Sequence, residues 1–137
     1  MSDSSLRELL AAGRHGVLVT LKRDGRPQLS NISYAFADGA VRISVTDERA
    51  KTRNLRRDPR ASVHVSRADF FAYAVAEGEA QLSPVAADPG DETVDQLVEL
   101  YRTIQGEHDD WDEYRAAMVR DKRLVVTLPV ERVYGMG

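Results

Sequence analysis

The sequence contains no cysteine and only three histidines, His15, His64 and His108, which lie far apart along the chain. Disulfides, thiolate nucleophiles and zinc–thiolate sites are excluded together. Histidines at such separations read as surface or core residues rather than as a ligand set. There is no glycine-rich phosphate loop and no G-x-S-x-G turn of the kind that carries a serine nucleophile. No apolar run exceeds the length of a strand, so no membrane-spanning helix is expected. The N-terminus shows no basic stretch followed by an apolar one, so no signal peptide is expected and the location is expected to be cytoplasmic. If such a chain is an enzyme, a bound cofactor carries the chemistry.

What is present is enough for one globular domain: 137 residues, 42% hydrophobic and 30% charged. The formal net charge is only −3, but it is unevenly spread. Between Arg49 and Arg60 six cations (Arg49, Lys51, Arg53, Arg56, Arg57 and Arg60) face one acid, Asp58. From Glu77 to Asp121 acids predominate. One basic patch on an acidic chain suits an anionic ligand of limited size. Nucleic acid, which usually needs a basic domain overall, is not expected.

Hydrophobic periodicity predicts a mainly β architecture. Ser5 with Glu8 three residues on reads as a capping box for a short helix ending near Gly13. Strands are expected over 16–22, 27–36 and 41–46, joined by a type I′ turn at Asp24-Gly25 and a second turn at Asp38-Gly39. The basic segment, with Leu55 its one large apolar residue, reads as an exposed helical connection ending before Asp58-Pro59. A fourth strand is expected over 61–65. A fifth is expected over 71–83, with Gly78 a bulge or a point of close approach. Pro89 is expected at the first turn of a helix carrying Val94, Leu97, Val98, Tyr101 and Ile104. A second helix from Asp109-Asp110 is expected to bury Trp111, Tyr114 and Met118, before a last strand over 124–128. Six mostly antiparallel strands with peripheral helices imply a barrel, because closure removes exposed edges.

Two segments carry polar groups in suggestive order. Gln28, Ser30, Asn31 and Ser33 cluster on the second strand, where they suit the polar rim of a flat heterocycle or equally a solvated edge. Arg49, Thr52 and Arg53 share one face of the basic helix, and Lys51 and Asn54 another. That arrangement suits a phosphate, or equally a helix facing water.

The order of these elements is similar to that of the pyridoxamine-phosphate-oxidase-like split β-barrel proteins. Asp24-Gly25-Arg26-Pro27-Gln28-Leu29-Ser30-Asn31 follows the first strand. Arg49-Ala50-Lys51-Thr52-Arg53-Asn54-Leu55-Arg56-Arg57-Asp58-Pro59-Arg60-Ala61-Ser62 follows the third, and Tyr73-Ala74-Val75-Ala76-Glu77-Gly78 lies in the fifth. The chain most resembles the actinobacterial subgroup of that family, the reductases that use the deazaflavin coenzyme F420. The likeness extends through Gly106-Glu107-His108, Trp111 and Leu128-Pro129. It implies a six-stranded, FMN-binding-like split barrel and a homodimer with two cofactor sites in its interface. Gln28, Leu29, Ser30 and Asn31 would lie against the ring system, and Ser44 and Thr46 on the strand leading to the phosphate. Arg49, Lys51, Thr52 and Asn54 would hold the phosphate, and Phe71 and Tyr73 would come from the partner chain. Phe71 stands where close relatives commonly carry tryptophan, so an N–H donor is lost there.

The resemblance implies an oxidoreductase passing a hydride from reduced F420 to an electron-poor small-molecule acceptor. No match is found for the C-terminal substrate residues of the vitamin B6 oxidases, so that reaction is not expected. An FMN flavoprotein of the same fold is the alternative, as is a non-catalytic carrier of F420 or a tetrapyrrole. The surplus cations Arg53, Arg56 and Arg57 would suit the longer anionic tail of F420. Tyr34, Tyr73 and His64 are the candidates for a proton donor.

Overall fold

The computed structural model describes residues 2–137. Two antiparallel sheets form a split barrel with helices at its periphery. The elements are α1 (Asp3–Ala12), β1 (His15–Leu21), β2 (Pro27–Ser33), β3 (Ala35–Ala37), β4 (Ala40–Thr46), α2 (Ala50–Arg57), β5 (Arg60–Ser66), β6 (Tyr73–Glu79), β7 (Gln81–Leu82), α3 (Glu92–Gln105), α4 (Trp111–Arg120), β8 (Arg123–Pro129) and β9 (Arg132–Met136). One sheet has the order β2-β1-β5-β6-β9 and the other β3-β4-β8-β7.

The expected six strands become nine because two of them change sheets and a ninth follows Pro129. The segment 27–36 breaks at Tyr34, so β2 belongs to one sheet and β3 to the other. Tyr34 is 1% exposed, its hydroxyl donates to the carbonyl of Leu10, and its N–H donates to the carbonyl of Arg14. Burial pushes its phenol up to about 12, and with its hydroxyl committed to Leu10 the residue pins the corner between the sheets. The segment 71–83 breaks in the same way at Ala80, whose N–H donates to the carbonyl of Pro59.

Local signals differ from expectation at three places. The first helix is capped by Ser2, whose hydroxyl oxygen accepts from the N–H of Ser5, so Ser5 lies inside the helix. At Asp24-Gly25 only Gly25 has positive φ, +87°. The bonds Gly25 N–H to Lys22 O and Lys22 N–H to Arg26 O make a three-residue connection with a glycine bulge, not a type I′ turn. The turn at Asp38 (φ 54°) and Gly39 (φ 74°) does have both residues left-handed, as type I′ requires. Before α3, Asp91 rather than Asp88 is the cap. Its carboxylate accepts from Val94, Ala87 and Asp88 N–H, and Pro89 lies outside the helix.

The core fills the space between the sheets. Leu18, Ile32 and Val63 from one sheet meet Val41, Ile43, Val45, Leu124, Val126 and Leu128 from the other. Strand β8 is buried on both faces: Val125 points the other way, under Val94, Leu97, Val98 and Met118 of α3 and α4. Its near-continuous apolar run follows from that double cover. The basic segment is not an exposed connection. Thr52, Asn54 and Leu55 of α2 are 0%, 7% and 2% exposed, and burying the leucine alone contributes about 2 kcal/mol.

Gly78 marks a close approach: a Cβ there would stand 2.2 Å from the carbonyl oxygen of Pro129. Backbone cannot yield as a flexible side chain would, so Gly78→Ala should lower stability by about 1–3 kcal/mol. Urea unfolding of the variant checks this, and an unchanged midpoint would refute the assigned contact.

Candidate functional site

The outer face of the smaller sheet carries the polar residues of β4. Ser44 pairs with Val125 and Thr46 with Arg123, so these four share the face lying under α3 and α4. The floor is therefore a sheet with two hydroxyls and an arginine, and the roof is helical and apolar. Where β2 runs out beside it, a hollow of about 310 Å³ opens. Its polar rim is Asn31, Ser33, Ser44, Lys51 and Arg123, and its apolar wall includes Leu100, Ile104 and Met118. Tyr101 and Tyr114 complete the roof, stacked edge to face 4.9 Å apart. Burial pushes the Tyr114 phenol up to about 12, and its hydroxyl donates to the carbonyl of Leu97.

Helix α2 is pinned so that Lys51 points into this hollow. The Thr52 hydroxyl donates to the Thr46 carbonyl at 2.8 Å, and Asn54 Nδ2 donates to the Thr20 hydroxyl at 3.1 Å. Leu55 plugs the barrel end beside them. Lys51 is half-buried, and burial, with the charges of Arg49 and Arg123, holds its ammonium below the ordinary lysine range. Among the described residues no carboxylate lies within ion-pair distance of Lys51, Arg49, Arg53 or Arg123. Cations gathered without a counter-ion give the hollow a positive local potential.

The structure brings Asn31, Ser44 and Lys51 together at the hollow, with Thr46 next to it. Thr52 and Asn54 lie behind, with the bonds just described. Arg49 is the exposed N-cap residue of α2, and no side chain caps that helix start. On β2 the period of two divides the polar cluster. Gln28 and Ser30 pair with the buried Thr20 and Leu18, whereas Leu29, 59% exposed, and Asn31 sit on the opposite face. The Ser30 hydroxyl is buried with no partner in the chain. Phe71 stands apart on the β5–β6 turn, 81% exposed, and Tyr73 stacks on His64 at 5.2 Å. Asn31, Ile32 and Ser33 also border a second, shallower hollow with His15, His64 and Ser66 on the outer face of the larger sheet.

Of the surplus cations, two are engaged. Arg56 pairs with Asp47, and Arg57 donates to the Leu21 carbonyl and to Asn54. Arg53 remains exposed. Arg123 escaped the sequence reading. An arginine opening an apolar strand looks like turn punctuation, and only the pairing of Thr46 with Arg123 shows that it shares the face of Ser44.

Residues 2–137 match the family model described as pyridoxamine 5'-phosphate oxidase. The fold is similar to that of a conserved hypothetical protein from Mycobacterium tuberculosis (24% identity over 99% of this chain and 84% of that one, TM-score 0.76). It is also similar to an F420 reductase (22% identity over 93% and 94%, TM-score 0.72). A FAD-binding protein from Mesorhizobium loti is similar as well (19% identity over 98% and 92%, TM-score 0.71).

The depressed ammonium of Lys51 has a measurable consequence. A lysine holds an anion only when protonated, so affinity is full below its folded-state pKa and falls as pH rises through it. Binding of inorganic phosphate should therefore weaken at a pH below the ordinary lysine range. Lys51→Arg should flatten that decline, because guanidinium stays charged. Calorimetric titration across the alkaline range tests this, and identical profiles for the two proteins would contradict it.

Proposed function

Because the chain belongs to the pyridoxamine 5'-phosphate oxidase family, we propose that it is an oxidoreductase that binds coenzyme F420 at the Lys51 hollow and works as a homodimer. The observation that carries this reading is the half-buried cation cluster without a carboxylate, set beside the end of β2. It suits the phosphodiester of the coenzyme. The exposed polar edge at Asn31 and Ser33 offers partners for the rim of a ring system. Similarity to the fold of an F420 reductase supports the choice of cofactor.

F420 held there would supply hydride-transfer chemistry toward an electron-poor small-molecule acceptor. The chain's own residues do the rest. Lys51 and Ser44 hold the anion, with Arg49 at the mouth. The apolar wall of Leu100, Ile104 and Met118 excludes water from the anion's surroundings, which strengthens each charge contact. Thr52 and Asn54 act as positioning residues, since their bonds to Thr46 and Thr20 fix α2 and so aim Lys51. With Arg56 and Arg57 tied to the protein, the anionic tail falls to Arg49 and Arg53 at the surface.

The dimer reading rests on the uncovered face of the larger sheet. Leu29, Tyr134 and Met136 are 59%, 48% and 61% exposed there, and Phe70 and Phe71 stand 83% and 81% exposed on the adjoining turn. A second copy packed on that face would bury them and carry Phe71 and Tyr73 toward the partner's site. The interface should exceed about 1,000 Å². Sedimentation at micromolar concentration should show a dimer, and a stable monomer would sink this part.

The cofactor is tested by titrating F420 and FMN into the purified protein and following absorbance and fluorescence. F420 should bind more tightly. Replacing Arg49 and Arg53 together with alanine should weaken F420 more than FMN, which has no tail. It should also raise KM for reduced F420 more than it lowers kcat, because contacts remote from the reacting carbon contribute mainly uniform binding. Tighter binding of FMN, with turnover that requires it, would replace F420 by FMN.

A further inference from the structure

Arg123 has the signature of a binding residue held ready for a ligand. Its guanidinium reaches the Ser44 hydroxyl at 3.3 Å and the Ser44 carbonyl at 3.5 Å, both at or beyond the upper limit of a good N–H···O bond. Its Nε is buried and has no partner in the chain. Other half-buried arginines are better served: Arg115 donates to the Pro89 carbonyl at 2.9 Å and to Asp95 at 3.0 Å, and Arg42 to the Ala37 carbonyl at 3.2 Å. A buried donor left unsatisfied is costly, and so is a second cation placed beside Lys51 with no acid between them. A bound anion relieves both costs at once. The planar fork of an arginine, unlike the point charge of a lysine, also fixes the orientation of a phosphoryl group.

We infer that Arg123 is the second cation of the anion site, gripping the phosphoryl group from the sheet floor opposite Lys51. The inference rests on the cofactor reading above for the identity of the ligand but not for the chemistry of the site. It assigns the two charges to different elements: Lys51 comes from α2 and Arg123 from β8, with Ser44 between them. A phosphoryl group bound there would cross-link helix and sheet. The Thr52 hydroxyl and the Asn54 amide, already engaged behind Lys51, need not reach it.

The test compares ligands with and without the anion. F420 and its phosphate-free deazariboflavin are titrated into the wild-type protein, Arg123→Ala, Arg123→Gln and Arg123→Lys, with FMN and riboflavin run in parallel. Thermal melting confirms that each variant folds. Arg123→Ala and Arg123→Gln should lose roughly tenfold or more in affinity for the phosphorylated ligand and leave the phosphate-free one unchanged. Arg123→Lys should recover part of the loss. Equal losses for both ligands of a pair would make Arg123 a structural residue and overturn the inference, as would wild-type affinity in all three variants. If Arg123→Ala does not fold, the glutamine and lysine variants decide by the same comparison. If the wild-type protein binds FMN and not F420, the choice of cofactor fails, while the FMN and riboflavin pair still decides the role of Arg123.

Discussion

A chain that passes from one sheet to another leaves hydrogen-bonding groups and a side chain stranded at the corner. Tyr34 resolves that problem here, and much of the structure depends on it. Its backbone N–H finds the Arg14 carbonyl, its hydroxyl finds the Leu10 carbonyl, and its ring fills the end of the core. Helix α1 is thereby tied to the barrel through a residue of the strand pair it closes over. The corner also brings the end of β2, with Asn31 and Ser33, to the flank of the smaller sheet that carries Ser44. Without the break the strand would run on in one sheet, and the two groups of polar residues would not share a hollow.

The site is built from elements whose other faces are committed to packing. Strands β4 and β8 spend one face on the barrel core and the other toward α3 and α4, so Ser44, Thr46 and Arg123 are partly withdrawn from bulk solvent. Helix α2 spends Thr52, Asn54 and Leu55 on the barrel and leaves Lys51 to the hollow. Low polarity on one side and cations on the other give the charges more effect than they would have at the surface. Arg56 and Arg57, on the last turn of α2, are instead in contact with Asp47, Leu21 and Asn54.

Much of this was legible in the order of residues. Alternation in Val41, Ile43 and Val45 marks a strand with one face in the core, and the left-handed pair Asp38-Gly39 marks its turn. The basic run from Arg49 marks the helix that brings Lys51 to the hollow. The sheet switches were not legible, because a strand that changes sheets keeps its β pattern across the break. The turn at Asp24-Gly25 was misread because glycine alone satisfies either turn type, and the hydrogen-bond register decides between them. The capping residues are not fixed by sequence, because serine recurs near the start of α1 and aspartate near that of α3, and only geometry selects one.

Local physics therefore determined the elements: β-branched alternation, helical spacing and turn chemistry act over a few residues and survive in any context. Composition determined that a reactive side chain of cysteine type could not carry chemistry. What only the tertiary structure decided is which polar residues meet. Arg123 and Ser44 are far apart in sequence and become neighbours through the pairing of β4 with β8. Gln28 and Asn31, near neighbours in sequence, part to opposite faces because strand side chains alternate. Proximity in a site is set by long-range register, and register is fixed by the packing of the whole barrel rather than by any segment of it.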